Sequence, residues 1–553
     1  MGLHSLGDTA WLFKTGGTSP ESKLELVLRL RRLLELHPIP EIIDTVSSFD
    51  TIAVHFHPAD GQKVLDHLTS LHLDEADDRP PFMARTVCIP VAYDGSDLPA
   101  LADALKLTAR EIVELHRNAE YTVAAIGFSP GFPYLHGLPH QLHLPRLSSP
   151  RKVAAGSVAV AGGQTGIYPF ASQGGWHMIG HTNLKLFDPH REPPALLQAG
   201  DKVRFLEAET VEETEPSPTQ PAALSVGIQV IDPGALSSIQ DHGRWGRQHL
   251  GVSPGGAVDP VLASIANRLV GNPDEAAVIE CTMSGPVLRF DVNARAAWVG
   301  WADETSGKPH TIKAGERIDL RRRMCHLRGY IAVAGGIEVP NVLGSRATDL
   351  RAVFGGHHGR SLRAGDILPI STASTAPISE KWHVSWPHPD GRLIELRYLR
   401  GMQADWFSEE ARCLFSGNFY EISPTSDRTG TRFKGDKLEL KEPREMVSQP
   451  VVCGSVQVPP DGQPIVLMSE RQTVGGYPQI GHIISADMPK LARAWPGTKV
   501  RFREVDLDEA RQAWNELQRD LGLLHAGLMM KLTRCKPSTS TRISEKAAHT
   551  MKR

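Results

Sequence analysis

The sequence predicts a mainly β protein with α+β elements: two tandem β-barrel units, with a small N-terminal α/β domain ahead of the first. Three observations predict it. First, one text occurs twice. Ala155-Gly156-Ser157-Val158-Ala159-Val160, Gln164, Gly174-Gly175-Trp176-His177-Met178-Ile179-Gly180-His181 and Gly200-Asp201-Lys202-Val203-Arg204-Phe205 form the first copy. Roughly three hundred residues on, in the same order, stand Cys453-Gly454-Ser455-Val456-Gln457-Val458, Gln463, Gly475-Gly476-Tyr477-Pro478-Gln479-Ile480-Gly481-His482 and Gly497-Thr498-Lys499-Val500-Arg501-Phe502. A period this long means duplicated domains, not a solenoid. Second, 50 Gly and 41 Pro punctuate short Val/Ile/Leu runs, the pattern of many short strands joined by turns. Third, 553 residues exceed what a single core supports.

The elements follow in order. Residues 1–82 read as the small α/β domain. Leu24, Val27, Leu28 and Leu34 give residues 21–37 an apolar helical stripe, which Pro38 and Pro40 stop. Residues 52–56 and 85–91 read as strands. Residues 83–206 hold the first barrel. Within it, 98–117 is a helix pair or one long helix with a capping box at Thr108 and Glu111, and Tyr121 to Ile126 is a β-branched strand. Glu207, Glu209, Glu212, Glu213 and Glu215, followed by Pro216, Pro218 and Pro221, mark residues 207–226 as a linker. Residues 227–525 form the second half, with a helix at 262–270 ended by Gly271-Asn272-Pro273. A Ser/Thr/Pro-rich soft boundary at 371–391 divides it into two subdomains. A helix over about 506–524 follows the second copy, and 526–553 reads as a basic, disordered tail.

Bulk composition excludes several classes of function. A hydrophobic content of 41%, a charged content of 22% and a net charge of −3 do not suit a nucleic-acid binder. No apolar run reaches membrane-spanning length, and the N-terminus carries polar residues where a signal peptide is apolar. Six scattered cysteines without a C-x-x-C pair predict free thiols and a cytoplasmic setting.

Several motif matches fail on physical grounds. Gly127-Phe128-Ser129-Pro130-Gly131 fits G-x-S-x-G, but the residue after the serine must supply an oxyanion-hole N–H, and Pro130 has none. Gly300 to Lys308 has the wrong spacing for a phosphate loop, with Pro309 where Ser or Thr belongs. Met529-Met530-Lys531-Leu532 ends a helix, whereas a biotin-bearing lysine needs a β scaffold on both sides. No metal-ligand spacing is present, so no metal site is expected. His357-His358 reads as a surface turn, and Arg321-Arg322-Arg323 as a solvated strand edge.

What remains are Gly-rich loops carrying Gln, Arg, Asp and aromatic residues. Glutamine pairs a donor with an acceptor, matching the edge of an amide or lactam. Arginine grips carboxylate or phosphate in a fork, aspartate can hold Mg²⁺ beside a nucleotide, and glycine lets backbone approach closely. The first half offers Arg151, Gln164, Tyr168, Gln173, Trp176 and His177 for binding; the second offers Gln240, Arg244, Asp259, Asp427, Gln472 and Tyr477. Asp241 and Arg428 are the catalytic candidates.

These strings carry a family resemblance. Gly127 to Leu135, Ser149-Pro150-Arg151, Ala155 to Pro169 and Leu186-Phe187-Asp188-Pro189 resemble the B subunit of prokaryotic 5-oxoprolinase, the KipI or allophanate hydrolase subunit 1 family. Ser238 to Arg244, His249-Leu250-Gly251-Val252, Ala266 to Asn272, Glu280 to Gly285, Ala334 to Ile337, Ser426-Asp427-Arg428 and Gln463 to Pro478 resemble the C subunit of that enzyme, the KipA or allophanate hydrolase subunit 2 family. The resemblance implies a cyclophilin-like barrel in each half. It implies opening of the 5-oxo-L-proline lactam to L-glutamate with ATP and Mg²⁺, in company with the separate A subunit of 5-oxoprolinase. It also leaves two alternatives, a carboxyltransferase component of a biotin-dependent urea or allophanate-type system and a regulatory protein that binds a histidine kinase. No protein-bound biotin is expected.

Overall fold

The computed structural model describes residues 2–71, 85–147, 149, 151–209, 226–371, 383–384, 393–444 and 446–534. Most of the linker expected at 207–226, most of the soft boundary at 371–391 and the chain after Arg534 lie outside these residues.

The N-terminal unit is an antiparallel sheet in the order Gly2–Leu6, Ala10–Lys14, Thr51–His55, Asp44–Ser48. Helix Pro20–Leu36 starts at a Ser19 capping box with Pro20 in the first turn, and buries Leu24, Val27, Leu30, Leu33 and Leu34. The following helix pair is two helices, Leu98–Leu105 and Ala109–Asn118. Lys106, in the left-handed region at φ 56°, breaks the chain between them, and Thr108 with Glu111 caps the second.

Both barrels have 7 strands in the same order. The first runs His177–His181, Ser157–Ala161, Gln164–Ile167, Pro133–His136, Tyr121–Ile126, Lys202–Glu207, Thr86–Val91, and an Ala92–His181 bridge joins its ends. The second runs Gln479–Ile483, Ser455–Gln457, Ile465–Leu467, Gly430–Lys434, Phe419–Ile422, Lys499–Glu504, Leu393–Arg400, and closes on itself. Each contains one parallel pair, Lys202–Glu207 with Thr86–Val91 and Lys499–Glu504 with Leu393–Arg400. The repeated Lys-Val-Arg-Phe text forms these strands. Val203, Phe205, Val500 and Phe502 point into the cores, while the interleaved Arg204 and Arg501 stay exposed. The duplication therefore reaches strand order, direction and register.

Between the barrels lies a third unit. A 4-stranded sheet (Arg317–Asp319, Val287–Phe290, Gly227–Asp232, Ile367–Pro369) and a 5-stranded sheet (Leu236–Gln240, Val278–Thr282, Arg328–Val333, Ala294–Val299, Pro309–Ile312) share a core containing Ile239, Ile279, Trp298 and Ile331. Helix Pro260–Val270 packs on the second sheet and ends at Gly271, φ 83°.

The C-terminal helix runs Leu507–Arg534, beyond the end expected near Leu524, so residues 526–534 of the expected disordered tail are helical. The reason is tertiary. Leu521 and Leu528 pack against helix Pro260–Val270, and Ser264 Oγ lies 3.2 Å from His525 Nε2.

Candidate functional site

The rejected G-x-S-x-G segment is a loop between strands Tyr121–Ile126 and Pro133–His136, with no helix after it. Ser129 N donates to Gly127 O at 2.7 Å and Phe132 N to Ser129 O at 3.0 Å, which folds the loop onto itself. Its tip docks on the second half. Gly131 N donates to Leu250 O at 2.8 Å, and Gly127 presses on Thr473 and Val474 so closely that a Cβ there would enter the Val474 side chain.

Three loops of the second half meet at this junction. Gly255 N and Ser253 Oγ donate to Ser469 O at 3.2 and 2.8 Å. Arg428 Nη2 donates to Gly256 O at 2.7 Å. The structure thus gathers Asp241, Arg244, Arg428 and the Ser469–Tyr477 loop, which come from distant segments.

Their roles differ. Asp241 is nearly buried, and both of its oxygens are occupied. Oδ1 accepts from Gly243 N at 2.7 Å and Ser345 Oγ at 2.6 Å, and Oδ2 from Arg346 N at 2.6 Å. Arg428 is saturated as well. Besides Gly256 O it donates to Glu470 Oε1 at 2.6 Å and to Glu280 Oε1. Burial alone would lower the Arg428 pKa, but the two carboxylates hold it above the ordinary arginine range. Burial pushes the Glu470 carboxyl up, against the pull of Arg428. Glu280 Oε2 accepts from Val258 N and Tyr330 Oη, both at 2.8 Å. Asp241 and Arg428, the two catalytic candidates, therefore shape the loops.

Arg244 is different. It is 1% exposed and lies over the Phe354 ring at 4.8 Å. It donates from Nη2 to Ala347 O, while Nε and Nη1 have no hydrogen-bond partner among the described residues. Burial lowers its pKa, and Asp349, Asp241 and Glu470 oppose that. Gly255 turns past it at φ 62°, and a Cβ there would sit 3.5 Å from Nη1.

The remaining second-half candidates are engaged locally. Gln240 is fully buried and bonds Ser238 Oγ at 3.0 Å and Thr348 O at 3.3 Å. Asp259 caps helix Pro260–Val270 and pairs with Arg493 at 2.6 Å. Asp427 is exposed. Its Oδ1 takes the amides of Thr429 and Gly430, leaving its other oxygen to solvent. Gln472 Nε2 donates to Gln457 Oε1 at 3.3 Å. Tyr477 is half-buried on the same loop.

In the first half, Tyr168 and Trp176 join Phe128, Phe132 and Tyr134 in an aromatic cluster that packs on Val452 and Val474 of the second. Burial pushes the Tyr168 hydroxyl pKa up. His177 Nε2 lies 2.9 Å from Pro145 O, beside Arg146. Arg146 carried no motif signal, yet it approaches Gly476 so closely that a Cβ there would lie 3.0 Å from Nη1. Arg151, Gln173 and Gln164 stand apart from the junction. Arg151 pairs with Asp97 and lines a groove of about 330 Å³ with Lys152, Ser96 and His181. Gln173 lies exposed opposite Lys152, and Gln164 pairs with Ala161 and His136 in the barrel wall.

No cluster of three metal-ligating side chains occurs among the described residues. Magnesium carried by a nucleotide needs only one or two carboxylates beside the phosphates. The half-open carboxylate of Asp427 fits that role; Asp241 and Asp259 are consumed.

Comparison with known proteins agrees with this division into halves. Residues 1–197 match the family model "Carboxyltransferase domain, subdomain C and D", and residues 250–504 match "Carboxyltransferase domain, subdomain A and B". The B subunit of 5-oxoprolinase from Escherichia coli O157:H7 is 40% identical over 210 residues, covering 37% of this chain and 94% of the relative. The C subunit of 5-oxoprolinase from Haemophilus influenzae is 36% identical over 291 residues, covering 51% of this chain and 93% of the relative. The crystal structure of TTHA0988 superposes with a TM-score of 0.77 at 34% identity, covering 89% of this chain and 99% of that one. The chain belongs to the families of the B and C subunits of 5-oxoprolinase, a B-like half joined ahead of a C-like half.

Proposed function

We propose that this chain is the fused B–C component of an ATP-dependent 5-oxoprolinase, opening 5-oxo-L-proline to L-glutamate together with an A-type partner, a protein resembling the A subunit of that enzyme. The carrying observation is Arg244, a buried guanidinium with two nitrogens unpartnered among the described residues, over the Phe354 ring that packs on Phe187 of the first half. Buried guanidinium nitrogens left without hydrogen-bond partners are unfavourable, and a carboxylate is their natural complement. The substrate carboxylate supplies one. ATP would supply the driving force by phosphorylating the lactam carbonyl oxygen, so that water attacks the activated carbon, the ring C–N bond breaks and phosphate leaves. The chain's own residues orient the ring: Arg244 at the carboxylate, with Asp241 and Arg428 fixing the loops around it.

The test is reconstitution. Purified chain, an A-type partner, ATP, Mg²⁺ and 5-oxo-L-proline should release glutamate and phosphate in equal amounts. Arg244→Leu should lower kcat/KM at least ~100-fold, the scale of losing a buried charge-assisted contact. Absence of turnover with every such partner would sink the reading. The second reading, a carboxyltransferase component, is favoured by the descriptions of the matching family models. Transfer of a carboxyl group from a carboxybiotin carrier to urea would establish it instead.

A further inference from the structure

The duplication contains a control experiment. In the first barrel Met178 lies opposite Ala159 on neighbouring strands, with the register shifting between Met178 and Gly180. At the same two positions of the second barrel Gln479 lies opposite Gln457, again at a register shift. An apolar pair thus satisfies this architecture, and two glutamines replace it in one copy only.

Both glutamines are 2% exposed. Gln457 Oε1 accepts from Gln472, but Gln457 Nε2 has no partner among the described residues. Gln479 N donates to Gln403 Oε1 at 3.3 Å, and Gln403 donates to Gln449 at 3.0 Å, but Gln479 Oε1 likewise has no partner among them. One buried donor and one buried acceptor therefore belong to directly opposed residues, whose Cβ atoms lie ~5 Å apart. Val456 and Val458 face the barrel core, which puts Gln457 on the outer face. The cover is the short ladder of Gln449–Pro450 with Val474–Gly475, followed by half-buried Gly476 and Tyr477. A Cβ on Gly475 would lie 2.5 Å from Gln457 Nε2, so only glycine lets the ribbon lie this closely over that donor.

We propose that Gln457 and Gln479 read the edge of a planar cis-amide, Gln457 Nε2 donating to its carbonyl oxygen and Gln479 Oε1 accepting from its N–H. The ligand enters by displacing the Val474–Tyr477 ribbon. That the amide is a lactam rests on the reading above; the donor–acceptor pair itself does not. Neither glutamine stands out in the sequence as a site, because each sits inside a string that occurs twice.

The test titrates the full chain, alone and with the A-type partner, with 5-oxo-L-proline, 2-pyrrolidinone and L-proline, which lacks the lactam carbonyl. Wild type should bind the first two and reject the third, and binding should speed amide hydrogen exchange over residues 474–477, whose ladder with Gln449–Pro450 it opens. The double variant Gln457→Ala/Gln479→Met copies the first barrel and should fold normally while losing at least ~10-fold in affinity for both lactams. Gly475→Ala, which crowds the donor without removing it, should do the same. Arg244→Leu should weaken 5-oxo-L-proline alone, leaving 2-pyrrolidinone untouched. Wild-type affinity in the folded double variant would overturn the proposal, as would failure of wild type to bind any lactam, amide or urea. If urea or acetamide binds through the glutamines and no lactam does, the amide reader stands and the 5-oxoprolinase reading falls.

Discussion

Two buried arginines, Arg244 and Arg428, look alike in the sequence, each in a Gly- and Asp-containing loop. The structure separates them by their hydrogen bonds. Arg428 reaches Glu280, Glu470 and Gly256; Arg244 reaches Ala347 alone. Removing Arg428 leaves two carboxylates buried without a counter-charge, so Arg428→Met should cost about 3–5 kcal/mol in denaturant unfolding. Arg244→Leu removes a buried cation with two unpartnered nitrogens and should cost clearly less stability than Arg428→Met, while lowering kcat/KM at least ~100-fold. Equal destabilisation by the two changes would contradict the division between framework and site. Of the Arg, Gln and Gly loops expected to bind, those of the second half gather at the junction, while Arg151, Gln164 and Gln173 stand apart from it. Saturation was not legible in advance, because the partners of Arg428 come from segments 42 and 148 residues away. The glutamine pair was not legible, because other matched positions, His177 against Pro478 and Asp201 against Thr498, change polarity as much, and only the fold shows which changes are buried.

At the scale of elements, the tight turn after Tyr121–Ile126 decides how the halves meet. Phe128 at φ 66° and Gly131 at φ 76° set its shape, and Gly127 gives Val474 its room. Gly127→Ala should destabilise the protein by about 1–3 kcal/mol through overpacking. Adding Val474→Ala should restore most of the loss, measured as a double-mutant cycle. Pro130 correctly ruled out a nucleophile elbow, and the strand before it was readable from its β-branched residues. The docking partner of the turn was invisible, since short-range patterns carry no information about a contact with Leu250. Likewise, helix periodicity located the C-terminal helix but not its last turns, which depend on packing against a helix more than two hundred residues earlier.

At the scale of the whole molecule, the halves interlock through polar groups as well as apolar ones. Asp8 accepts from Ser485 N and Oγ at 2.9 and 2.8 Å, Asp44 accepts from Gly246 N and Gln248 N at 2.8 and 3.1 Å, and Ser48 donates to Ser448 O at 2.6 Å. Buried histidines set the response to acid. Burial lowers His55 and His116 to about 3 and His482 and His249 to about 4, from 6.5. Below pH 6.5 the unfolded chain takes up protons that the folded one refuses, so stability is full above that pH and declines as it falls toward 4. Asp8 and Asp44, pushed up by burial, act in the opposite sense, their contribution being present in acid and lost as pH rises through their folded values. The histidines outnumber them, so the unfolding midpoint should be lower at pH 5 than at pH 7. His482→Asn, which can keep the 3.1 Å contact with Ser455, should flatten the slope by up to about 1.4 kcal/mol per pH unit. An unchanged slope would rule out His482 as a contributor. The duplication itself was legible, because barrel strands carry repeated text; the interlock was not, because it joins unrepeated residues.

The bond between Asp8 and Ser485 spans 477 residues of chain. At ~5–20 residues per second, a ribosome needs on the order of half a minute to a minute and a half between making one partner and the other. The aromatic face of the first half, complete at Trp176, waits for Val474 through roughly 300 further residues, on the order of a quarter of a minute to a minute at the same rate. The nascent chain, more than the finished protein, is thus the form in which that face is open to aggregation and to chaperones.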